Sequence, residues 1–450
     1  KIWGYHPNTR NPVVESLATC QKSKGNWVTC SGVYEPSTEF LNAERYEVVL
    51  ETDVSSFDVN YDVDNVVFRP SEGGLDRLIL PKTIENLWGP GAEILITSHS
   101  PDWDAHEVRM IFTVENHDEE GYVKVHLNET ISRPLTLGSH PFHATEVALL
   151  SRNIELDGRD GAHMTVLHSP GLTQVIQGVG FIRFGEEGIR DSYPIHFDYC
   201  LDSANSVISK NTIRSSNQRC IVIDASNNVV VEGNVAFDTK GHCFVVETGM
   251  ESGNVFKSNL GAFTQKVHQT MPQAGISGKE TDDIPAVFWA GSPSNYWIEN
   301  VAAGSEGYGY WLELRQNPRG PHADNFARSP AQTELTQFSG NSAHSMQLES
   351  LKVTGYLPTK TSLIENFRSY LNEKGHFSVH KSSNMEARGT ILDSPLESNP
   401  FPMSGTTVVS TKAMGNDKFS DEELDSENHG HASEPTDVFN LQASPSLLEK

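Results

Sequence analysis

Residues 217–249 carry one short pattern twice, and this repetition restricts the fold more than any other feature of the sequence. Cys220 opens "CIVID", and 23 residues later Cys243 opens "CFVVE", with the same order of cysteine, three apolar residues and a carboxylate. Units of this length built on β-branched triplets have no apolar stripe with a 3.6-residue period, which excludes helical hairpins. They are typical of a parallel β-helix, where each unit adds a rung and buries its apolar residues against the neighbouring rungs.

The same period continues along the chain. "IHFD" at 195–198 precedes "IVID" by 26 residues, and "VFW" at 287–289 precedes "YWL" at 310–312 by 23 residues. An asparagine opens a small or apolar stretch at intervals of 23, 25, 41 and 41 residues, at Asn211, Asn234, Asn259, Asn300 and Asn341. Asparagines at equivalent turns can stack into an amide ladder. The two intervals of 41 indicate one coil plus a polar surface insertion, at 264–284 and 315–333.

The sequence predicts an all-β chain with three parts. Segments such as "RYEVVLETDV" and "AEILITSHS" predict strands separated by turn residues, so residues 1–145 form a β-rich, sandwich-like entry region. Residues 146–395 form the parallel β-helix. Residues 396–450 are an acidic segment of ambiguous structure, because "DKFSDEELDSENHGHASEPTD" is typical of a solvated tail or loop.

Alternation along each strand separates core residues from outward residues. Ile195, Phe197, Ile221, Ile223, Phe244 and Val246 should point inward, so the residues between and after them should point outward. Rungs lie about 4.8 Å apart. Asp198, Asp224 and Glu247 should therefore form a column of carboxylates on one exposed sheet. We expect Ala290 to interrupt this column on the next rung and Glu313 to resume it.

Three stacked acids need relief from mutual repulsion. One of them holds a proton, a cation sits among them, or Arg219 and His242 offset the charge. Two carboxyl groups about 5–5.5 Å apart match the geometry of retaining glycoside hydrolysis, in which His196 or His242 would share the acid–base role. Alternatively, oxygen ligands from the three acids would suit Ca²⁺. The competing interpretation is a solvated acidic ladder without function, in which His196 is only a hydrogen-bonded structural residue.

Aromatic residues cluster beside the predicted column. Trp289, Trp297, Tyr308, Tyr310 and Trp311 fall in the fourth and fifth rungs, and rings on an exposed sheet would stack on sugars. The alternative is ordinary packing. Basic residues of the two insertions would wall this face, namely Lys266, His268, Lys279, Arg315, Arg319 and His322. Of these residues, Trp289, Tyr310, Trp311 and Arg315 are the predicted carbohydrate-binding set.

Charge and cysteine content restrict partners and compartment. The chain has 34 Lys and Arg against 59 Asp and Glu, a formal charge of −25, which argues against nucleic-acid binding. Cys20 and Cys30 bracket a polar stretch and predict a local disulfide, and Asn128 lies in a glycosylation sequon. Cys220 and Cys243 are expected to stack as free thiols, with a rung-to-rung disulfide as the alternative. No segment is long and apolar enough to span a membrane, and "KIWGYHPNTR" has no signal-peptide character, so we expect a mature or excised piece.

Several motifs in order resemble the family of fibrocystin, fibrocystin-like proteins and the cell-migration-inducing and transmembrane-protein-2 hyaluronidases. They are "EVALLSRNIELDG", "GAHMTVL", "YPIHF", "GHCFVVETG", "NVAAGSEGYGYWLELRQNPRGP" and "GNSAHS", and "ILITSHSPDWDAHE" resembles the segment after the G8 domain of these proteins. The resemblance covers roughly residues 90–375. It implies a right-handed, extracellular or cell-surface parallel β-helix. In the family some members cleave hyaluronan, for some of them with calcium, while the fibrocystins are large surface proteins.

Two functions therefore compete, with a third behind them. The chain is a surface protein that binds or hydrolyses a polysaccharide or glycosaminoglycan along the acidic column, with Ca²⁺ as a possible cofactor. Alternatively, it is a non-catalytic structural or adhesion module whose partners are neighbouring surface proteins. A lyase is disfavoured because no lysine is expected near the column. A depolymerisation assay on a panel of glycans separates these functions.

Overall fold

The computed structural model describes residues 75–84, 88–116, 122–132, 145–159, 161–167, 171–272, 280–320, 323, 326 and 328–393, with five short strands outside these ranges. Three of these strands, β1 (Ile2–Tyr5), β2 (Val13–Glu15) and β3 (Arg45–Val48), pair antiparallel in the order β2-β1-β3. They belong to a compact unit of their own. Cys20 and Cys30 lie outside the described residues, so their predicted disulfide stays a prediction.

A five-stranded antiparallel sheet comes next in the chain. Its strands are β4 (Leu75–Pro81), β5 (Glu93–Ile96), β6 (Glu107–Asn116), β7 (Tyr122–Ile131) and β8 (Val147–Leu149), in the order β4-β7-β6-β5-β8. A 3₁₀ turn, Lys82–Ile84, follows β4. The alternating residues Val123, Val125 and Leu127 are buried on one face of β7, as expected for a sheet that packs on one side only.

The rest of the described chain coils through three parallel sheets, which confirms the predicted right-handed parallel β-helix. The ten-stranded sheet contains β9 (Ile154–Asp157), β12 (Val179–Ile182), β15 (Thr212–Ser216), β18 (Val235–Lys240), β21 (Leu260–Gln265), β24 (Val301–Ser305), β27 (Ser342–Met346), β30 (Arg368–Tyr370), β33 (Ile391–Asp393) and β35 (Lys412–Met414). The eight-stranded sheet contains β10 (Thr165–Leu167), β13 (Ile195–Asp202), β16 (Ile221–Asn227), β19 (Phe244–Val246), β22 (Ala286–Ala290), β25 (Tyr308–Glu313), β28 (Glu349–Thr354) and β31 (Gly375–His380).

The nine-stranded sheet completes each coil between these two. It contains β11 (Val175–Gln177), β14 (Val207–Ser209), β17 (Val230–Glu232), β20 (Val255–Lys257), β23 (Tyr296–Ile298), β26 (Gln337–Ser339), β29 (Ser362–Glu365), β32 (Met385–Arg388) and β34 (Thr406–Val408). Strands β34 and β35 lie in the predicted acidic C-terminal segment, past residue 395. None of the helices among the described residues is long and apolar enough to cross a membrane.

The predicted asparagine ladder is confirmed at the turn between the nine- and ten-stranded sheets. Each side-chain Nδ2 donates to the Oδ1 of the next asparagine at 2.9–3.0 Å, from Asn211 through Asn234, Asn259 and Asn300 to Asn341. The preceding residue has a positive φ in all five turns, 54° at Lys210 and 63° at Gly233, for example. This left-handed residue turns the chain, and the buried amide then satisfies backbone groups that the sharp turn leaves unpaired.

The interior of the coil is one continuous apolar cluster that runs from Phe181 to Leu392. Cys220 and Cys243 lie within it and form a disulfide with a Cα–Cα distance of 4.5 Å. The expectation of free thiols at these positions is therefore wrong. Adjacent parallel rungs bring equivalent Cα atoms to a separation that a disulfide can bridge, so the repeat itself creates the pair. Cys200 is a third buried cysteine of this cluster.

The antiparallel sheet covers the outer face of the ten-stranded sheet. Leu95 and Leu150 share a buried cluster with Phe237 and Leu260 of the β-helix. Trp103 stacks on Phe263 with ring centroids 5.3 Å apart. The outer face of the eight-stranded sheet is covered differently. Its cover comes from the two longest connections between successive strands of the β-helix, 266–285 and 314–336. These connections correspond to the two predicted insertions, and they shape the site.

Candidate functional site around Asp198 and Asp224

The predicted column of acids exists on the eight-stranded sheet. Asp198 is the parallel neighbour of Asp224, and Ile223 is the neighbour of Val246, which puts Glu247 next in the same row. The prediction for the following rung is wrong by one residue. Val246 pairs with Ala290, so Ala290 faces the apolar core and Gly291 takes the place next to Glu247. The row then continues to Glu313, as expected.

The row is not an open acidic ladder. Glu247 is fully buried, while Asp198 and Asp224 are half-buried. The neighbouring outward positions Val222 and Val245 are also buried, beneath Met271 of the first insertion. The expectation of an exposed column is therefore wrong at Glu247, because the insertion folds back over the sheet and removes this rung from water.

Three arginines and three acids, which we call the ion-pair cluster, hold that cover in place. They are Arg190, Arg219, Arg319, Glu247, Glu280 and Asp282. Fully buried Arg219 makes two bonds to Asp282, from Nε at 2.9 Å and from Nη2 at 2.8 Å. Its Nη1 lies 3.2 Å from Glu247 Oε1. Because the charges are equal in number, the buried cluster carries no net charge.

The other two arginines connect the cluster to further segments. Arg190 Nη1 donates to Glu247 Oε1 at 2.5 Å, and its Nη2 donates to Glu280 Oε1 at 2.8 Å. Arg319, from the second insertion, donates to Glu280 Oε2 at 2.9 Å and to the Glu247 carbonyl at 3.0 Å. Burial alone would raise the pKa of Glu247, but Arg219, Arg190 and Arg319 lower it to about 2. Glu247 is thus an ionised structural acid held by arginines.

His242 is also committed to structure. Its Nδ1 accepts a hydrogen bond from the Ala286 backbone at 3.0 Å, and its Nε2 lies 3.1 Å from Thr281 Oγ1. The ring stacks on Trp289 at 5.6 Å. Burial lowers the pKa of His242 to about 4. The imidazole is therefore neutral with both nitrogens engaged, and no proton is free for the acid–base role considered from sequence.

Asp198, Asp224 and His196 remain as a separate group, which we call the carboxylate–histidine group. One ligand atom of each lies within 4.8 Å of the others. Among the residues that the structure describes, no lysine or arginine lies within 4.0 Å of either carboxylate. Burial raises the pKa of Asp224 well above its ordinary value, and the like charges of Glu247 and Glu251 raise it further. The pKa shifts of Asp224 and Glu247 are therefore opposite in direction.

His196 is the centre of this group and is completely buried. Neither ring nitrogen has a hydrogen-bond partner among the described residues. The nearest charged contact of Nδ1 is Asp191 Oδ1 at 4.0 Å, and the ring meets Tyr193 edge-on at 5.1 Å. Burial lowers the pKa of His196. The imidazole of His196 is thus neutral and lies close to two carboxyl groups, and no hydrogen bond to a described residue holds its orientation.

The aromatic residues are packed rather than displayed. Trp289 and Trp311 are buried beneath cations, with Arg319 4.8 Å from the ring centroid of Trp289 and Lys352 3.9 Å from that of Trp311. Tyr310 faces the core and donates to the Asn300 carbonyl at 2.7 Å. The expectation of exposed sugar-stacking rings is therefore wrong for these three residues. The two tryptophans are buried because they pack with Tyr308 and with Met271 of the first insertion, whereas Tyr310 is buried because it faces the core.

The remaining predicted residues are dispersed. Arg315 pairs with Glu313, 2.7 Å from Nη2 to Oε1. Asn128 is exposed on β7, and its Oδ1 accepts from the Met110 backbone at 2.9 Å. Lys279 and His322 lie outside the described residues. A groove of about 510 Å³ crosses the later rungs of the same sheet, lined by Lys266, Asp283, Ile284, Glu306, Tyr308, Gln347, Leu348, Glu349, Lys374, Ser378 and His380.

Sequence reasoning missed several members of the site. Arg190, Glu280 and Asp282 lie in connections rather than in repeats, so no period marked them. Lys352 was missed because β28 follows a 41-residue interval, although it shares a row with Trp311. The one available signal was the position of "RD" at 190–191, just before "YPIHF" at 193–197.

Comparison with known proteins agrees with this architecture. Residues 159–351 match the family model described as CEMIP beta-helix. The chain is 28% identical over 283 residues to the cell surface hyaluronidase of Danio rerio, which covers 53% of this chain and 20% of that protein. It is 31% identical over 229 residues to fibrocystin-L of Mus musculus, covering 48% and 5%, and 31% identical over 220 residues to a G8 domain-containing protein of Dictyostelium discoideum, covering 45% and 19%.

These matches define the class of protein. The chain is a parallel β-helix protein, and its predicted resemblance to the hyaluronidase and fibrocystin family is confirmed over the matched coils. The chain spans a fifth or less of the length of each of these three relatives. Among solved structures, a Pseudomonas phage phi297 tailspike covers 76% of this chain and 55% of its own, with 11% identity and a TM-score of 0.22.

Proposed function

We propose that this chain is the β-helix of an extracellular or cell-surface protein that binds a polysaccharide and hydrolyses it at Asp198 and Asp224. One observation carries the proposal. Two carboxylates on adjacent rungs lie within 4.8 Å of each other, with no lysine or arginine beside them among the described residues. Every other buried acid of this face is tied to arginines or to backbone donors, so these two are the ones left for chemistry.

The pair suits a retaining hydrolysis, which uses carboxyl groups about 5–5.5 Å apart. Asp224, whose surroundings raise its pKa, acts as the general acid and donates a proton to the glycosidic oxygen as the bond from that oxygen to the anomeric carbon breaks. Asp198 attacks the anomeric carbon and forms a glycosyl ester. Asp224 then removes a proton from water, which attacks the same carbon, releases Asp198 and completes the hydrolysis.

The surroundings favour a long polymer as substrate. The groove across β25, β28 and β31 begins three rungs beyond Asp224, about 14 Å along the axis at the usual rung spacing, and both lysines and acids line it. The Danio rerio relative is named as a hyaluronidase, so hyaluronan is the first substrate to test. Calcium stays a prediction, since a divalent cation would reduce repulsion between a chain of charge −25 and a polyanion.

An oxidising compartment fits the chemistry of the chain. The Cys220–Cys243 disulfide is buried in the core, and disulfides persist mainly in secreted and surface proteins. Asn128, the acceptor of the sequon, is exposed on β7. Both features support the extracellular assignment, which the surface relatives suggested independently.

A size-shift assay on hyaluronan tests the activity. The wild type should shorten the polymer, and Asp224→Asn should reduce the rate by about 10²–10⁴-fold, as expected for loss of a general acid. Asp198→Asn should have a similar effect. The matched control is Glu232→Gln, an exposed acid of the nine-stranded sheet that pairs with Lys257 at 3.3 Å; it should keep full activity. Each sample is assayed with and without EDTA to test calcium.

A non-catalytic structural or adhesion module is the second candidate. The observation that favours it is the cover over the eight-stranded sheet, since Trp289 and Trp311 offer no exposed face to a sugar. This candidate predicts no depolymerisation of hyaluronan, chondroitin sulfate or heparan sulfate by the wild type. Equal, non-zero rates for the wild type and both aspartate variants would also contradict hydrolysis at this pair.

A further inference from the structure

His196 is the least explained residue of the molecule. A buried polar atom without a hydrogen bond is destabilising, and both nitrogens of this fully buried ring lack a partner among the described residues. The hydrolysis proposed above uses the two aspartates and leaves the imidazole without a role. A buried imidazole beside two carboxyl groups, with no lysine or arginine near them among the described residues, is an arrangement that a positively charged ligand would complete.

A divalent cation is such a partner. Imidazole nitrogen and carboxylate oxygen are ligands for Mn²⁺ and Zn²⁺, whereas Ca²⁺ takes oxygen ligands. Ligand atoms around one such ion at about 2.1 Å lie roughly 3–4.2 Å apart. The three ligand atoms here lie within 4.8 Å of one another, which is only slightly wider than the spacing around a bound ion. The oxygen-only set expected from sequence differs, because it includes Glu247, whose Oε1 is bonded to Arg190.

We propose that His196, Asp198 and Asp224 bind one divalent cation of the manganese or zinc type. Three protein ligands leave coordination positions open, and oxygen atoms of a bound acidic sugar, such as a uronate carboxylate, would complete them. This last clause rests on the proposed function, whereas cation binding itself does not.

Direct binding measurements test the proposal. The intact chain is stripped with EDTA, dialysed, and titrated with Mn²⁺, Zn²⁺, Ca²⁺ and Mg²⁺ by calorimetry. We expect one Mn²⁺ or Zn²⁺ per chain, with Ca²⁺ at least about tenfold weaker because it gains little from the imidazole. Pulsed electron paramagnetic resonance of bound Mn²⁺ should show coupling to an imidazole nitrogen, which neither surface acids nor buffer provide.

Two variants separate this site from adventitious binding. His196→Gln should abolish the nitrogen coupling and weaken Mn²⁺ binding by at least about tenfold, and Asp198→Asn should weaken binding similarly. The half-buried Asp198 carboxylate has no hydrogen-bond partner among the described side chains, so its variant should fold even if the histidine variant does not. Glu232→Gln is the control and should bind like the wild type.

The outcomes separate this inference from the hydrolase proposal. Absence of stoichiometric Mn²⁺ and Zn²⁺ binding, or binding unchanged in Asp198→Asn, overturns the cation site and leaves the hydrolysis test untouched. Cation binding with the expected variant pattern, in a chain that cleaves no glycan, supports the cation site and removes the hydrolysis. Addition of Mn²⁺ to an active chain should slow cleavage and raise glycan binding.

Discussion

At the scale of single residues, the ion-pair cluster shows how burial determines the role of a charge. Arg219 is surrounded by Glu247, Glu280 and Asp282, at 3.2, 3.5 and 2.8 Å from its guanidinium nitrogens. Desolvation of a buried ion costs several kcal/mol and is offset only when partners are well placed. Loss of one member of the cluster should therefore be costly, whereas loss of one member of a surface ion pair should not.

Loss of Arg219 should be strongly destabilising. Arg219→Met keeps most of the side-chain volume but leaves Asp282 without its paired cation and Glu247 with one arginine fewer, so we expect a loss of about 3–5 kcal/mol in the free energy of unfolding. Urea denaturation at pH 7 measures it. The control is Arg388→Met, whose side chain is 51% exposed and pairs with Glu386; its cost should stay below about 1 kcal/mol. Equal costs for both variants would contradict a stabilising buried cluster.

The same scale shows what sequence can and cannot predict about the site. The repeat identified Asp198, Asp224 and Glu247 because each directly follows the corresponding strand triplet of its coil. The two-residue alternation along a strand then places their side chains on its outer face. Their separate roles could not be found. Glu247 differs from Asp224 only because Arg190 and Arg219 approach it. Arg190 comes from a connection whose path depends on tertiary packing.

At the scale of elements, the asparagine ladder connects successive coils. Asn259 accepts from the backbone N and side-chain Nδ2 of Asn234, both at 3.0 Å, and its own Nδ2 donates to Asn300 Oδ1 at 2.9 Å. It also donates to the Val231 carbonyl at 2.8 Å. One side chain thus satisfies buried polar groups on three consecutive rungs, which makes the ladder a continuous element rather than a set of separate turns.

Removal of one amide from the middle of the ladder should be costly. Asn259→Ala removes the partner of two Asn234 donors and of the Val231 carbonyl, and each such group costs about 1–3 kcal/mol. We therefore expect a loss of more than about 3 kcal/mol, seen as a lower midpoint in thermal denaturation. Asn116→Ala, at the exposed end of β6, is the matched control. A small effect at Asn259 would mean that water replaces the amide.

Elements also explain the one-residue error of register. Intervals of 23–26 residues fixed the pairing of β13, β16 and β19, and the structure agrees. The 41-residue interval before β22 contains an insertion whose length in space cannot be derived from its sequence. Phe244 therefore pairs with Phe288 instead of Val287. Since one residue exchanges the two faces of a strand, Ala290 faces the core instead of standing in the row of acids.

At the scale of the whole described β-helix, the outer faces of the sheets have different roles. The antiparallel sheet covers the ten-stranded sheet through Leu95, Leu150 and Phe237, and the insertions cover the eight-stranded sheet. The coiled architecture followed from the repeat alone, because each coil resembles the next. The covers could not be predicted, since they depend on long-range contacts between segments of unlike sequence, such as Glu146 with His344, 198 residues apart.

This contact gives the junction between the antiparallel sheet and the β-helix a dependence on pH. Glu146 Oε2 accepts from Thr97 Oγ1 at 2.7 Å and lies 2.9 Å from His344 Nε2, and His344 is fully buried. Burial acts to raise the pKa of Glu146, but His344 and the Thr97 hydroxyl outweigh it, so the pKa is lowered from 4.5. A carboxyl whose pKa is lowered by folding stabilises the fold above its unfolded pKa and loses this effect as pH falls.

Glu146→Gln should therefore lower the melting temperature at pH 7, and the difference from the wild type should shrink below about pH 4.5, where the unfolded carboxyl gains its proton. The reason is that a protonated glutamate resembles glutamine in shape and charge, so the two chains become equivalent once the wild-type carboxyl titrates. Differential scanning fluorimetry from pH 3 to 7 measures the difference. Glu232→Gln, the exposed control, should show a small difference throughout. A pH-independent loss in Glu146→Gln would show that Glu146 acts by packing and not by its charge.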